Sequence, residues 1–97
     1  MSKYKKEEKL GSAIMRLMKA YGHEEKLKEV SILRAWEEIT GPYVTKHTER
    51  LTFENGNVKI KLSSAALRNE FNMSKSKVAK ALNDHLEKGW VNTVEIL

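Results

Sequence analysis

Residues 46–62 hold the pattern that leaves this chain least freedom. Leu51 and Phe53 alternate with polar residues, Asn55-Gly56 follows, and Val58, Ile60 and Leu62 alternate again. Period-two alternation on both sides of an Asn-Gly pair predicts an antiparallel hairpin closed by a two-residue turn. The turn sets the register: Glu54 faces Asn57, Phe53 faces Val58 and Leu51 faces Ile60, so every apolar side chain falls on one face. The same register puts Arg50 opposite Lys61 and Thr52 opposite Lys59 on the other face. Like charges directly opposed are unfavourable unless an anion or water lies between them, which hints at a ligand.

Helical spacing accounts for most of the rest. Leu10, Ile14, Leu17, Met18 and Tyr21 recur along residues 9–21, and Gly22 follows as a left-handed stop. In residues 24–39, Ile32, Ala35, Trp36 and Ile39 form a clean stripe that Leu27 and Val30 do not share, which predicts a break near Ser31 with that serine as N-cap. Gly41 and Pro42 end the helix. Ser63 and Ser64 can cap a long helix running to about Glu87, with Leu67, Phe71, Val78, Leu82 and Leu86 spaced by four or seven along its inner stripe. Lys88-Gly89 closes it, and Val94 and Ile96 alternate in a last strand. The expected fold class is therefore α+β: N-terminal helices, an antiparallel hairpin, a long helix and a final strand completing a three-stranded sheet. Residues 1–8 read as a flexible basic arm and residues 9–97 as one domain, since 97 residues are too few for a second core.

Charge is distributed unevenly. The net charge is +5, and the whole excess lies in residues 55–83, where Lys59, Lys61, Arg68, Lys75, Lys77 and Lys80 stand against Glu70 alone. Outside that stretch basic and acidic residues balance. One concentrated basic region in the folded part is the footprint of a polyanion-binding face, with Arg50 joining it from the hairpin. On the long helix, Arg68 and Lys75 flank the apolar stripe on one side and Lys77 and Lys80 on the other, so a single row of four is excluded.

Chemistry-bearing constellations are missing. The chain has no cysteine, which excludes disulfides and thiolate metal sites. His23, His47 and His85 are far apart and form no metal-ligand pair, and the five glycines never form a phosphate-binding loop. Glu37 and Glu38 are helix neighbours about 100° apart, so they cannot share one substrate atom. No enzyme activity, metal or cofactor is expected. Trp36 lies on a core stripe, whereas Trp90, after Gly89, either caps the sheet edge or meets a partner or a base. No apolar run approaches the roughly 18 residues of a membrane span, and Met1 to Leu10 do not begin a secretory signal, so the cytoplasm is the expected address.

The order of the pieces resembles one family. Trp36-Glu37-Glu38-Ile39-Thr40-Gly41, His47-Thr48, the hairpin around Asn55-Gly56, the strand Val58-Lys59-Ile60-Lys61-Leu62 followed by Ser63-Ser64, the Leu67 to Phe71 segment and Leu82-Asn83 are similar to the DciA family of bacteria. The resemblance covers roughly residues 10–97 and implies a K-homology-like α+β domain. It also implies a role in DNA replication, assisting the hexameric replicative helicase DnaB to engage DNA, with no nucleotide hydrolysis. The Gly-x-x-Gly loop with which K-homology domains clamp a nucleic-acid backbone does not occur here, so that clamp is not carried over. Many members carry a longer tail; this chain stops at Leu97, so helicase contact is expected through the domain itself or the arm before Leu10.

The resulting expectation is a non-enzymatic accessory that binds single-stranded or forked DNA through Arg50, Lys59, Lys61, Arg68, Lys75, Lys77 and Lys80. Two alternatives stay open: a small RNA-binding module of the same fold, and a protein-interaction adaptor or homo-oligomer in which Trp90, Tyr43, Tyr4 or a sheet edge forms the contact.

Overall fold

The computed structural model describes residues 13–14 and 16–97. The basic arm and Leu10 lie outside the described residues. Residues 13–14 and 16–20 are helical (α1), and Gly22 at φ +77° turns the chain out of that helix. Helix α2 spans Glu24–Thr40, α3 Pro42–Lys46, strand β1 Thr48–Glu54, β2 Asn57–Leu62, helix α4 Ala65–Asn72, α5 Lys75–Leu86 and strand β3 Thr93–Ile96. The sheet order is β1-β2-β3, with β1 antiparallel to β2 and β2 parallel to β3. A parallel neighbour needs a long crossover, which α4 and α5 supply.

The hairpin has the expected register at every pair from Arg50↔Lys61 to Glu54↔Asn57. Asn55 and Gly56 both take positive φ, +50° and +81°, as a two-residue turn of this hand requires. Gly56 is also the place where the chain returns: its carbonyl accepts the amides of Asn92 and Thr93 at 2.8 and 3.1 Å. A Cβ at Gly56 would collide with the Asn92 side chain. One irregularity was not legible in the alternation. Thr48 pairs with Leu62 while Arg50 pairs with Lys61, so Glu49 is bulged out of the ladder. The bulge turns Thr48 to the inner face, where its Oγ1 accepts the Trp36 indole N–H at 3.0 Å and donates to the Val44 carbonyl at 2.8 Å.

Two helical expectations are corrected. No break occurs at Ser31, and α2 runs uninterrupted for 17 residues. It contains neither glycine nor proline, and its two apolar sets have different neighbours. Ile32, Ala35 and Trp36 enter the main core, Leu27 lies beside Leu86 and Trp90, and Val30 stays exposed. A helix needs one stripe only when it has one partner. The single long helix predicted after Ser64 is instead two helices, interrupted at Met73 and Ser74. The stripe from Leu67 to Leu86 has a gap where an unbroken helix would turn Ser74 and Lys75 toward the core. Burying an unpaired ammonium costs more than ending the helix there.

The core is formed by the inner face of the sheet and the facing sides of α2, α4 and α5. Trp36, Ile32, Ile60, Leu62, Leu82 and Val58 are its most completely buried large side chains. Trp36 stacks edge-on against Phe71 at 5.1 Å between ring centres. By contrast, Ile14, Leu17 and Tyr21 of the first helical segment are 46%, 54% and 70% exposed, so that apolar stripe is not part of this core.

Candidate nucleic-acid interface

The outer face of the sheet is the side that no described helix covers. Strand alternation lifts Arg50 and Thr52 from β1, Lys59 and Lys61 from β2, and Thr93 and Glu95 from β3 onto it. Arg50, Lys59, Lys61 and the terminal Leu97 are exposed there, with Thr52 half-buried between them. These five residues, without Thr93 and Glu95 of β3, line one open groove of about 370 Å³. Three cations converge on it. Lys61 is partly balanced by Glu49 at 3.8 Å, with both side chains about half exposed, and Lys59 lies in register with Glu95. Arg50 and Lys59 have no ion-pair partner among the described residues, so the cross-strand opposition read from the hairpin is only partly relieved by the protein itself.

The other four basic candidates do not assemble into the same surface. Arg68 is half-buried and donates from Nη1 to the Leu62 carbonyl at 2.9 Å, a bond that ties α4 to the end of β2 just beyond Lys61. Lys75 lines a separate groove with Ser76, Ala79 and residues 92–94, between the start of α5 and β3. Lys77 is exposed. Lys80 is engaged by Asp84 one turn further along α5, at 2.9 Å. Because α4 and α5 are separate helices, the angles counted along one continuous helix do not describe their relative positions.

The aromatic candidates sit elsewhere. Tyr43 is 59% exposed at the start of α3, edge-on to His47 at 4.9 Å and within 5.9 Å of the Lys46 ammonium. Trp90 is half-buried, packs against the core and has two ammonium groups over its ring, those of Lys28 and Lys88. Lys28 was missed because it comes from α2, 62 positions earlier; Lys88, two residues before the tryptophan, read only as part of the helix stop. Among the histidines, His85 Nε2 meets Glu38 at 2.7 Å, a boundary contact linking α5 to α2, while His47 Nδ1 meets Ser63 Oγ at 3.0 Å.

Another acid was also overlooked. Glu29, on α2, accepts the Phe53 amide at 3.0 Å and the Lys26 ammonium at 2.9 Å. Phe53 lies on β1, an outer strand of the sheet, so the carboxylate covers an amide that β2 does not reach. The Lys26 hydrogen bond holds the Glu29 carboxyl below its ordinary range; burial opposes this, and the Phe53 amide and the Lys26 charge reinforce it.

The motif residues quoted above turn out to make the scaffold. Trp36 is buried and bonded to Thr48. The Thr40 hydroxyl donates to the Trp36 carbonyl, and Gly41 takes φ +88° where the chain leaves α2. The Ser63 amide bonds the His47 carbonyl at 2.8 Å, and Ser64 Oγ caps α4 by accepting the Leu67 amide at 3.2 Å. Leu82 is wholly buried, and the Asn83 amide group grips both the N–H and the C=O of Val91 at 2.9 and 2.8 Å.

The fold and this face define a small α+β module that presents a cationic sheet surface. The family model described as Dna[CI] antecedent, DciA, matches residues 9–96, and the chain belongs to that family. Membership points to DNA replication and helicase loading. No curated protein and no solved structure matches the chain. Among the described residues, no helix is long and apolar enough to cross a membrane.

Proposed function

We propose that this protein is a non-enzymatic accessory of DNA replication that holds single-stranded or forked DNA on the outer face of its sheet while assisting a DnaB-type replicative helicase to engage that DNA. The observation that carries the reading is the groove in which Arg50, Lys59 and Lys61 converge without a covering helix. Ammonium and guanidinium groups on an open face neutralise phosphates without selecting a base sequence. Contact with three phosphates of a single strand corresponds to a log–log salt dependence of roughly −2. Arg68, Lys75 and Lys77 lie outside this groove and add to the positive charge of the domain. Lys80, already paired with Asp84, contributes less. The compartment is that of the chromosome, the bacterial cytoplasm.

The test is to change Arg50, Lys59 and Lys61 together to glutamate and to measure binding of labelled single-stranded and forked DNA at low salt. Affinity falls at least tenfold in the variant, whereas Lys80→Glu changes it little. An unchanged affinity in a folded triple variant refutes the site. Competition by RNA of equal length tests the RNA-binding alternative: phosphate contact alone gives equal competition, whereas an RNA-selective module lets RNA displace DNA at lower concentration.

A second contact is favoured by the exposed Ile14, Leu17 and Tyr21 stripe of α1. Apolar residues in a row on a solvent-facing helix suit a protein partner, and the helicase is the partner that family membership suggests. Pull-down of purified DnaB-type helicase with and without DNA, using wild type and Leu17→Glu, separates this contact from DNA bridging.

A further inference from the structure

Trp36 and Trp90 are used very differently. Trp36 is fully buried and its N–H is bonded to Thr48. Trp90 is half-buried, and its indole N–H has no hydrogen-bond partner among the described residues. Around it lies a cleft of about 210 Å³ lined by Lys19 from α1, Glu24, Leu27 and Lys28 from α2, and Lys88 from the segment after α5. The Lys28 and Lys88 ammonium groups stand 5.3 and 5.8 Å from the ring centre. Lys28 is also 3.8 Å from Glu25. Three cations thus surround one indole, with Glu24 the one acid in the lining.

We propose that this cleft is a stacking site for an unpaired base of a single strand, with Lys19, Lys28 and Lys88 taking the phosphates on either side of it. The inference rests on the nucleic-acid reading above and adds a contact to bases, which the sheet groove does not provide. An aromatic face flanked by flexible ammonium groups is the arrangement that binds single strands with little sequence preference, since every base has a face to stack. Lysine stems are long enough for the ammonium groups now over the ring to swing to phosphates when a base replaces them. A base inside a duplex has no free face, so the cleft selects single strands.

The cleft also lies within reach of the groove. From Trp90 to Glu95 is five residues, at most about 18 Å of chain, and Glu95 is beside Lys59 across the β2–β3 ladder. The bond from the Asn92 amide to the Gly56 carbonyl fixes that path to the hairpin turn. A strand rounding this end of the sheet passes from the sheet cations to the indole.

The experiment compares two labelled strands of about twelve nucleotides, within the size such sites accommodate. One is oligothymidylate and the other an abasic sugar-phosphate strand of equal charge. The full chain binds the thymidylate strand about tenfold more tightly, with quenching of tryptophan emission and protection from acrylamide that the abasic strand does not produce. Trp36 is already shielded, so this signal belongs to Trp90. Trp90→Leu abolishes the tenfold difference while keeping the affinity for the abasic strand, and Trp90→Phe retains most of it. The acrylamide measurement on the unaltered protein stands whether or not the leucine variant folds. Equal affinity for the two strands without quenching overturns the stacking site and leaves the phosphate groove standing. Binding of neither strand overturns both.

Discussion

Replacing Glu29 by alanine removes one carboxylate that joins helix α2 to the outer strand of the sheet. Its side chain is 18% exposed, and it accepts the Phe53 amide at 3.0 Å and the 67% exposed Lys26 ammonium at 2.9 Å. The two bonds differ in weight. The exposed pair with Lys26 on the same helix contributes about 0.5 kcal/mol or less. The charged acceptor on a largely covered amide is worth about 1.5 kcal/mol, at the low end for charged hydrogen bonds because β1 is at the sheet's edge. Glu29→Ala therefore costs about 1.5–2 kcal/mol and lowers Tm by roughly 6–16 °C in a chain of this length. Glu29→Gln keeps an uncharged acceptor for Phe53 and loses about half as much.

The pH dependence separates this bond from a packing effect. The folded carboxyl titrates below its ordinary value of 4.5, first through the Lys26 bond and then, against the opposing cost of burial, through the Phe53 amide. A lowered folded-state value means that the stabilisation is fully present above the unfolded-state value and is lost as pH falls through the folded one. Urea unfolding of wild type and Glu29→Gln thus gives a constant difference from pH 5.5 to 7, shrinking as pH falls below about 4.5. A Glu29→Ala variant within 0.3 kcal/mol of wild type, or a difference that stays level down to pH 3, refutes the reasoning.

Three further substitutions test other joints of the fold. Gly56→Ala places a methyl group against Asn92 at φ +81° and costs about 2 kcal/mol or more, read by denaturant midpoint. Asn83→Ala strips two backbone bonds from Val91 and costs about 1–3 kcal/mol, with faster amide exchange at Val91. Trp36→Phe keeps an aromatic ring but loses indole volume in the core and the bond to Thr48; it lowers stability by about 2–4 kcal/mol, and a second change of Thr48 to valine then costs less than it does in wild type.

What could be read from the chain follows the range of the interactions involved. The hairpin register was legible because an Asn-Gly turn and a period-two pattern are satisfied within twelve residues, and Arg50↔Lys61 follows from counting outward from the turn. The bulge at Glu49 was not, because it serves the bond between Thr48 and the Trp36 indole on helix α2, which no alternation within the strand encodes. The break at Met73 and Ser74 had a local signal, the gap in the apolar stripe, which the matching phase of Phe71 and Val78 concealed.

The same division runs through the candidate site. Six basic residues were legible as an excess of charge and Arg50 from the hairpin register, yet only Arg50, Lys59 and Lys61 share the sheet groove, since a strand pair fixes neighbours that a pair of separate helices does not. The family motif was legible too, and Trp36, Thr48, Ser64 and Asn83 proved to be bonded within the scaffold. The sequence by itself determined the α+β class, the hairpin and its two faces, because those follow from turn chemistry and side-chain alternation. Only the tertiary structure decided which cations remain unpaired, how β3 lies beside β2, and that lysines from α1, α2 and the segment after α5 gather at Trp90. Apart from Lys88, two positions before Trp90, those contacts join residues dozens of positions apart, and no local periodicity encodes them.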